Sequence, residues 1–327
     1  MPQLRRPRTR RRALVTVLIV VAAGCGTPAP GPGSPQATTS SATVVYTLTE
    51  SGAGKSAEHN HGKPVDIEWD AATSSFFVAT SLDGTIYQGR LDDPNVPVYI
   101  EGTLGQTADG IKIARGQLYV VGGMSGQIRV YNLATKALVG HFETGSGGDL
   151  IDLDVTDAGD VWVTDALRPV LWHLTPQQVA AGSGTPTALP VGPEITFTPD
   201  PYNLGGIVAV SDQRLLVVNF ESGGLYRIEL DPHAPRGRTI ALISGATVRE
   251  GAGLLLDGRR LVVADFHGLS IVNLTDDAQH ATAVTPIRDP SFHEPVAVAH
   301  AADRYLVTNH AAQDSQPYTV SSVPAAS

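Results

Sequence analysis

One motif returns six times along this chain, and its spacing constrains the fold more than any other feature. Each copy has a short apolar strand, a polar turn, a second apolar strand ending in a small, Asp or Asn residue, a glycine-containing loop and a third strand. The copies are PVDIEWDAATSSFFVATSLDGTIYQGRL from Pro64, DGIKIARGQLYVVGGMSGQIRVYNL from Asp109, DLDVTDAGDVWVTDALRPVLWHL from Asp152, GIVAVSDQRLLVVNFESGGLYRIEL from Gly206, GLLLDGRRLVVADFHGLSIVNL from Gly253 and PVAVAHAADRYLVTNHAAQ from Pro295. The residue closing the second strand falls at Thr80, Gly122, Asp165, Asn219, Asp265 and Asn309, at gaps of 42, 43, 54, 46 and 44 residues. A period of that length is one four-stranded sheet, which cannot bury its own faces and must stack on its neighbours. The long gap holds an insertion around VAAGSGTPTALPVGPE.

These repeats predict an all-β chain, a six-bladed β-propeller of four-stranded antiparallel blades over residues 44–323. Apolar and polar residues alternate inside the repeats, and Asp-Gly, Ala-Gly and Ser-Gly pairs mark the hairpins. A ring needs a closure, because an unpaired end strand exposes a ladder edge. Thr43–Leu48 reads as a strand before the first repeat and Tyr318–Ser321 as one after the last, and their pairing would close the ring. Seven blades is the alternative, although no seventh copy is found. Loops entering each first strand and leaving each second strand converge on one face around the central channel, which makes that face the candidate site.

Residues 1–24 read as an export signal: Arg5, Arg6, Arg8, Arg10, Arg11 and Arg12 precede an apolar run from Ala13 to Ala23 and then Gly24-Cys25. That run is about half the ~20 residues a bilayer-spanning helix needs. Arg11-Arg12-Ala13-Leu14-Val15 also looks like a twin-arginine export core. Val21-Ala22-Ala23-Gly24-Cys25 resembles the bacterial lipobox, with Ala22 where leucine is usual, which would make Cys25 the acylated N-terminus. Cys25 is the single cysteine, so no internal disulfide is possible. Residues 25–43, rich in Pro, Gly and Ser, read as a tether. Beyond the signal, 17 Lys and Arg stand against 32 Asp and Glu, a net charge of −15. Such a surface repels phosphate backbones and anionic lipid headgroups. The expected partners are therefore the membrane, through lipid on Cys25, and an unknown small molecule or protein, with nucleic acid excluded.

The repeats resemble the SMP-30/gluconolactonase/LRE-like group of six-bladed propellers from Pro64 to Asn309. Active members of that group are calcium- or zinc-dependent lactonases, with a metal held by a glutamate entering the first blade, an asparagine entering a middle blade and an aspartate entering the next. At the matching positions this chain has Pro64-Val65-Asp66, Gly205-Gly206 and Ala252-Gly253, and a further family asparagine-aspartate pair appears as Ile151-Asp152. Valine, glycine and alanine side chains supply no oxygen ligand, so the family's metal site is expected to be lost and no cofactor is expected. Replacement ligands on the same face are Asp66, Asp109, Asp152, Asn203, Glu250 and Glu294, with His59, His61, His267, His293 and His310 in its loops. A displaced calcium or zinc site built from them is the alternative. The reading of the same residues as polar loop residues that satisfy backbone and solvent is favoured over it, because no tight ligand spacing such as H-x-x-x-H appears. No catalytic residue is assigned. A non-catalytic binding module is the leading expectation and a metal-dependent lactonase with displaced ligands the second.

Overall fold

The computed structural model describes residues 43–49, 62–199, 202–231, 233, 237–311 and 317–325, all within the unit Ser40–Ser327. The export signal, the tether, Cys25, His59 and His61 lie outside the described residues.

Apart from one short helix the described chain is all β. β1 (Val44–Thr49) precedes an antiparallel run of β2 (Pro64–Asp70), β3 (Ser75–Thr80), β4 (Ile86–Arg90) and β5 (Asn95–Ile100). A four-stranded antiparallel sheet follows, made of β6 (Gly110–Ala114), β7 (Gln117–Val121), β8 (Gln127–Asn132) and β9 (Leu138–Glu143). The next is β10 (Leu150–Val155), β11 (Val161–Asp165), β12 (Val170–Leu174) and, after helix α1 (Pro176–Ala181), β13 (Thr187–Pro190). β14 (Leu204–Ser211), β15 (Arg214–Asn219), β16 (Leu225–Leu230) and β17 (Arg238–Leu242) form another. So do β18 (Leu254–Asp257), β19 (Arg260–Ala264), β20 (Leu269–Leu274) and β21 (Ala281–Ile287), before the final β22 (Pro295–Ala301), β23 (Arg304–Asn309) and β24 (Thr319–Pro324).

β1 makes the closure. It pairs antiparallel with β24, from Val44↔Ser322 to Thr47↔Thr319, and parallel with β5, from Thr47↔Asn95 to Thr49↔Pro97. The first and last described strands thus share one eight-stranded sheet. The expected pairing of Thr43–Leu48 with Tyr318–Ser321 is present, extended by a few residues at the C-terminal end. The first strands pack in succession, β2 on β6, β6 on β10, β10 on β14, β14 on β18, β18 on β22 and β22 on β2.

The core explains one departure from the sequence reading. Alternation holds on outer strands such as β9, where Gly140 and Phe142 are buried between exposed neighbours. It fails on second strands: all of SFFVAT in β3 and all of VWVTD in β11 are buried. A second strand lies in the middle of a sheet stacked on both faces, so both sets of side chains enter cores. Phe76 and Val78 pack with Ala297, Ala299 and Leu306 on one side, while Phe77 and Ala79 pack with Ile111 and Leu118 on the other. The 54-residue gap also holds more than a loop. Thr175-Pro176-Gln177-Gln178 is a capping box with proline in the first turn, and Gly182 at φ 69° ends α1.

Two changes measure these contributions. Leu216→Ala, which empties a fully buried position between two sheets, is expected to cost about 2–5 kcal/mol in urea denaturation. Removing residues 44–49 unpairs β24 and β5 and uncovers the packing around Tyr46 and Leu48, so the urea midpoint should fall. An unchanged midpoint would show that β1 contributes nothing to closure.

Candidate functional site

The residues that close the second strands form the frame of the loop face. Asp165 is fully buried, and its carboxylate accepts from the backbone N–H groups of Asp149, Leu167 and Arg168, from Arg168 Nε at 2.6 Å and from Trp172 Nε1 at 3.1 Å. Asn309 accepts from His293 N and donates to Thr319 and Ser321, and Asn219 and Asp265 cap their own turns through Ser222 and Ser270. Backbone bonds then fasten each exit to its entry loop: Ser81 N to Lys63 O, Ala166 N to Asp149 O, Phe220 N to Asn203 O and His310 N to Glu294 O. The repeat residues seen in the sequence are therefore turn builders that fix where the next side chain points.

Within this frame lies a cavity of about 640 Å³. Val65, Asp109, Ile151, Gly205, Ala252 and Val296, one from the entry to each first strand, all line it. One part of the wall is aromatic. Tyr202 and Phe220 have ring centroids 5.7 Å apart, Phe220 and Phe266 5.5 Å, and Phe266 and His310 6.3 Å with planes 20° apart. Phe220, Phe266 and His310 each follow a second-strand closing residue, where the first three repeats place Ser81, Gly123 and Ala166. Phe266, Glu250 and Glu294 adopt φ of 56°, 58° and 52°, unusual for residues with side chains and most so for a bulky aromatic. Sequence reasoning passed over Tyr202, Phe220, Phe266 and Asp149. Phe220 and Phe266 become visible once the repeats are compared at the residue after each closing position, where aromatics replace small residues in the last copies; Tyr202, in the loop before β14, carries no such signal.

Of the residues expected at this face, Asp66, Asp109, Asp152, Glu250, Glu294 and His310 line the cavity, and Asn203, His267 and His293 do not. Asn203 is buried, its amide holding Thr198 and the carbonyl of Ala166. His267 stands outside as a 3.0 Å partner of Glu250, with side chains 72% and 48% exposed. His293 takes its place through the Asn309 amide.

Asp66 and Asp152 have a structural task. Asp66 accepts from Ile67 N at 2.8 Å and, across the sheet boundary, from Ile111 N at 2.6 Å. Asp152 does the same with Leu153 N at 2.7 Å and Ile207 N at 3.0 Å, and Asp154 with Val155 N at 2.8 Å and Ala209 N at 2.7 Å. Deeper in the channel Lys112 bridges Glu68 at 2.8 Å and Asp154 at 3.2 Å. The receiving strands carry Gly110 and Gly206 beside the bonded amides. A Cβ on Gly206 would lie 2.6 Å from Leu254 N, and one on Gly205 2.9 Å from the carbonyls of Gly251 and Ala252. A larger residue at Gly205, where the family's asparagine would stand, meets this backbone. Among the described residues, no three His, Cys, Asp or Glu side chains are placed to hold a metal ion. At Val65, Gly205 and Ala252, where the resemblance places the metal's side chains, no side-chain oxygen is offered.

Burial sets the electrostatics. It pushes Asp109 up to about 7 against the hydrogen bond from Thr107, and Asp152 up to about 7 against its two backbone N–H donors. Asp66 is raised well above the carboxylate range by burial and by the charge on Asp152, and Asp149 is raised by burial and by Asp165. Burial and the nearby Lys63 hold the His310 imidazole below its usual value.

No protein-family model matches the sequence, and no curated protein matches it. Among solved structures, the chain is similar to regucalcin, a calcium-binding protein from Agrobacterium tumefaciens, at 17% identity and TM-score 0.58 over 86% of this chain and 97% of that one. It is similar to a gluconolactonase from Xanthomonas campestris at 15% identity and TM-score 0.56, covering 81% and 88% of the two chains. It is also similar to virginiamycin B lyase from Staphylococcus aureus at 14% identity and TM-score 0.56, covering 82% of each. At such identities the shared property is the β-propeller fold.

The raised carboxyls have a signed consequence. Asp109 and Asp152 keep protons in the folded chain at pH values where the unfolded chain has released them, so their contribution is full below about pH 4 and lost as pH rises through about 7. The melting temperature is expected to be higher near about pH 5.5 than near about pH 8, and Asp109→Asn to reduce that difference. A pH profile unchanged by Asp109→Asn would place the titration elsewhere.

Proposed function

We propose that this protein is an exported, lipid-anchored propeller of six four-stranded blades that binds a small ligand in the loop-face cavity without metal-dependent chemistry. The observation that carries this reading is the use of the carboxylates nearest the family's metal positions. Asp66 and Asp152 spend their oxygens on backbone N–H groups of the neighbouring strand, while Asp149, Glu294 and an aromatic wall remain turned to recognition. A cavity of about 640 Å³ lined by apolar and aromatic side chains together with carboxyls is of a size that holds small molecules. The six-blade count is supported by the closed succession of first-strand contacts and by the absence of a further repeat in the sequence.

The second reading, an SMP-30/gluconolactonase-like lactonase with displaced ligands, is favoured by the fold shared with the gluconolactonase and by the Glu250–His267 pair at the rim. Protein purified without chelators decides between them. The binding reading expects less than stoichiometric calcium or zinc and no turnover of simple sugar lactones with either ion added. One tightly held divalent ion together with lactonase activity, both lost in Glu250→Ala, would establish the enzyme instead.

The export reading is tested separately. Cys25→Ser is expected to abolish acylation and move the protein from the membrane to the soluble fraction. Retention in the membrane with an uncleaved N-terminus would make the Ala13–Ala23 run an anchor.

A further inference from the structure

The cavity has an uneven charge. Its lining includes six carboxyl side chains but only one lysine, Lys63, which is exposed at the rim. Two basic groups near these acids are committed elsewhere: Lys112 bridges Glu68 and Asp154 in the channel below, and Arg129 donates to Gln106 and to the backbone carbonyl of Thr107. Asp149 accepts no hydrogen bond through its carboxylate from the described residues, and Asp109 accepts one, from Thr107. Burial first, and then the charge of neighbouring carboxyls, raises the pKa of Asp66, Asp109, Asp149 and Asp152. Glu250 is paired with His267 at the rim, whereas Asp109 and Asp149 have no ion-pair partner among the described residues.

Beside these acids runs the arc of Tyr202, Phe220, Phe266 and His310. Aromatic faces attract cations through the ring quadrupole, and the attraction grows when the cation is desolvated. His310 adds a further complementary group: its Nδ1 is buried without a hydrogen-bond partner, and a neutral imidazole offers an acceptor. Phe266 is held in the left-handed region at φ 56°, a conformation that a bulky residue adopts only when its surroundings impose it. A neutral sugar would also stack on the rings, but it would leave the carboxyls uncompensated, and an anion would be repelled.

Taking the cavity as the ligand site inferred above, we propose that it is selective for a small organic cation, an aliphatic or aryl ammonium, held between the aromatic arc and the Asp109 and Asp149 carboxylates. The cationic head lies against the acids and the rings take its apolar substituents.

The test uses four probes that share a phenyl group and differ in the attached group: benzyltrimethylammonium, 2-phenylethanol, 3-phenylpropanoate and phenyl β-glucoside. Calorimetry on the mature protein is expected to show the ammonium binding at least about tenfold more tightly than the other three. Asp149→Asn, which removes charge from a side chain that accepts no hydrogen bond from the described residues, should weaken the ammonium several-fold and leave 2-phenylethanol unchanged. Phe220→Leu, which keeps the apolar volume and removes the ring, should also weaken the ammonium. Melting temperatures confirm that each variant is folded. If the alcohol, glucoside or carboxylate binds as tightly as the ammonium and Phe220→Leu weakens it, the cavity is a ligand site and the cationic assignment is wrong. If no probe binds at millimolar concentration, the cationic assignment and the binding reading both fall.

Discussion

The structure depends on a carboxylate reaching across a sheet boundary to a backbone N–H. First strands lie side by side around the channel without a hydrogen-bonded ladder between sheets, so their facing amides need acceptors from elsewhere. Asp66, Asp152 and Asp154 supply them, each holding its own strand with one oxygen and the next strand with the other. Glycine on the receiving strand leaves room for the close approach. Elsewhere Gly206 donates directly to Ala252 O at 2.5 Å, and Gly253 leaves no space for a side chain against Val296 and Ala297. Two solutions thus join the inner strands, aspartate over glycine and backbone against backbone.

That solution leaves a cost at the same place. The carboxyls that tie the sheets are desolvated, and Asp66 also feels the charge of Asp152, so ionising them at the top of the channel is disfavoured and their pKa values are raised. The stacked cores between sheets offset it, since every second strand is buried on both faces. A rigid ring can carry a strained, charged centre that a smaller domain could not.

The architecture was largely legible because the period is a property of many residues at once. The gaps between Thr80, Gly122, Asp165, Asn219, Asp265 and Asn309 marked the sheets, and the apolar strands at both ends marked the closure. Helix α1 was missed, although Thr175-Pro176-Gln177-Gln178 carries its own start signal. The site was less legible. Asp66 and Asp152 look like ligands in a sequence because a carboxylate that binds a metal and one that binds a neighbouring amide are the same residue. Asn203 and His293 lie away from the cavity lining for a reason that only the folded loops show: the Asn203 amide holds the carbonyl of Ala166, and the backbone N–H of His293 donates to the Asn309 side chain. The aromatic arc was hidden because Phe220, Phe266 and His310 are far apart in the chain and share only their position after a closing residue.

The closure strand has a mechanical consequence. β1 is flanked on both sides, by β24 running antiparallel and by β5 running parallel, and it is also the strand at which the chain enters the ring. Tension applied through the N-terminal side acts along β1. It loads the bonds to both neighbours in shear, together, rather than opening them one at a time from an edge. The load passes directly into the last strand and into the first sheet, so the joint that completes the ring is also the point that bears any pull on it.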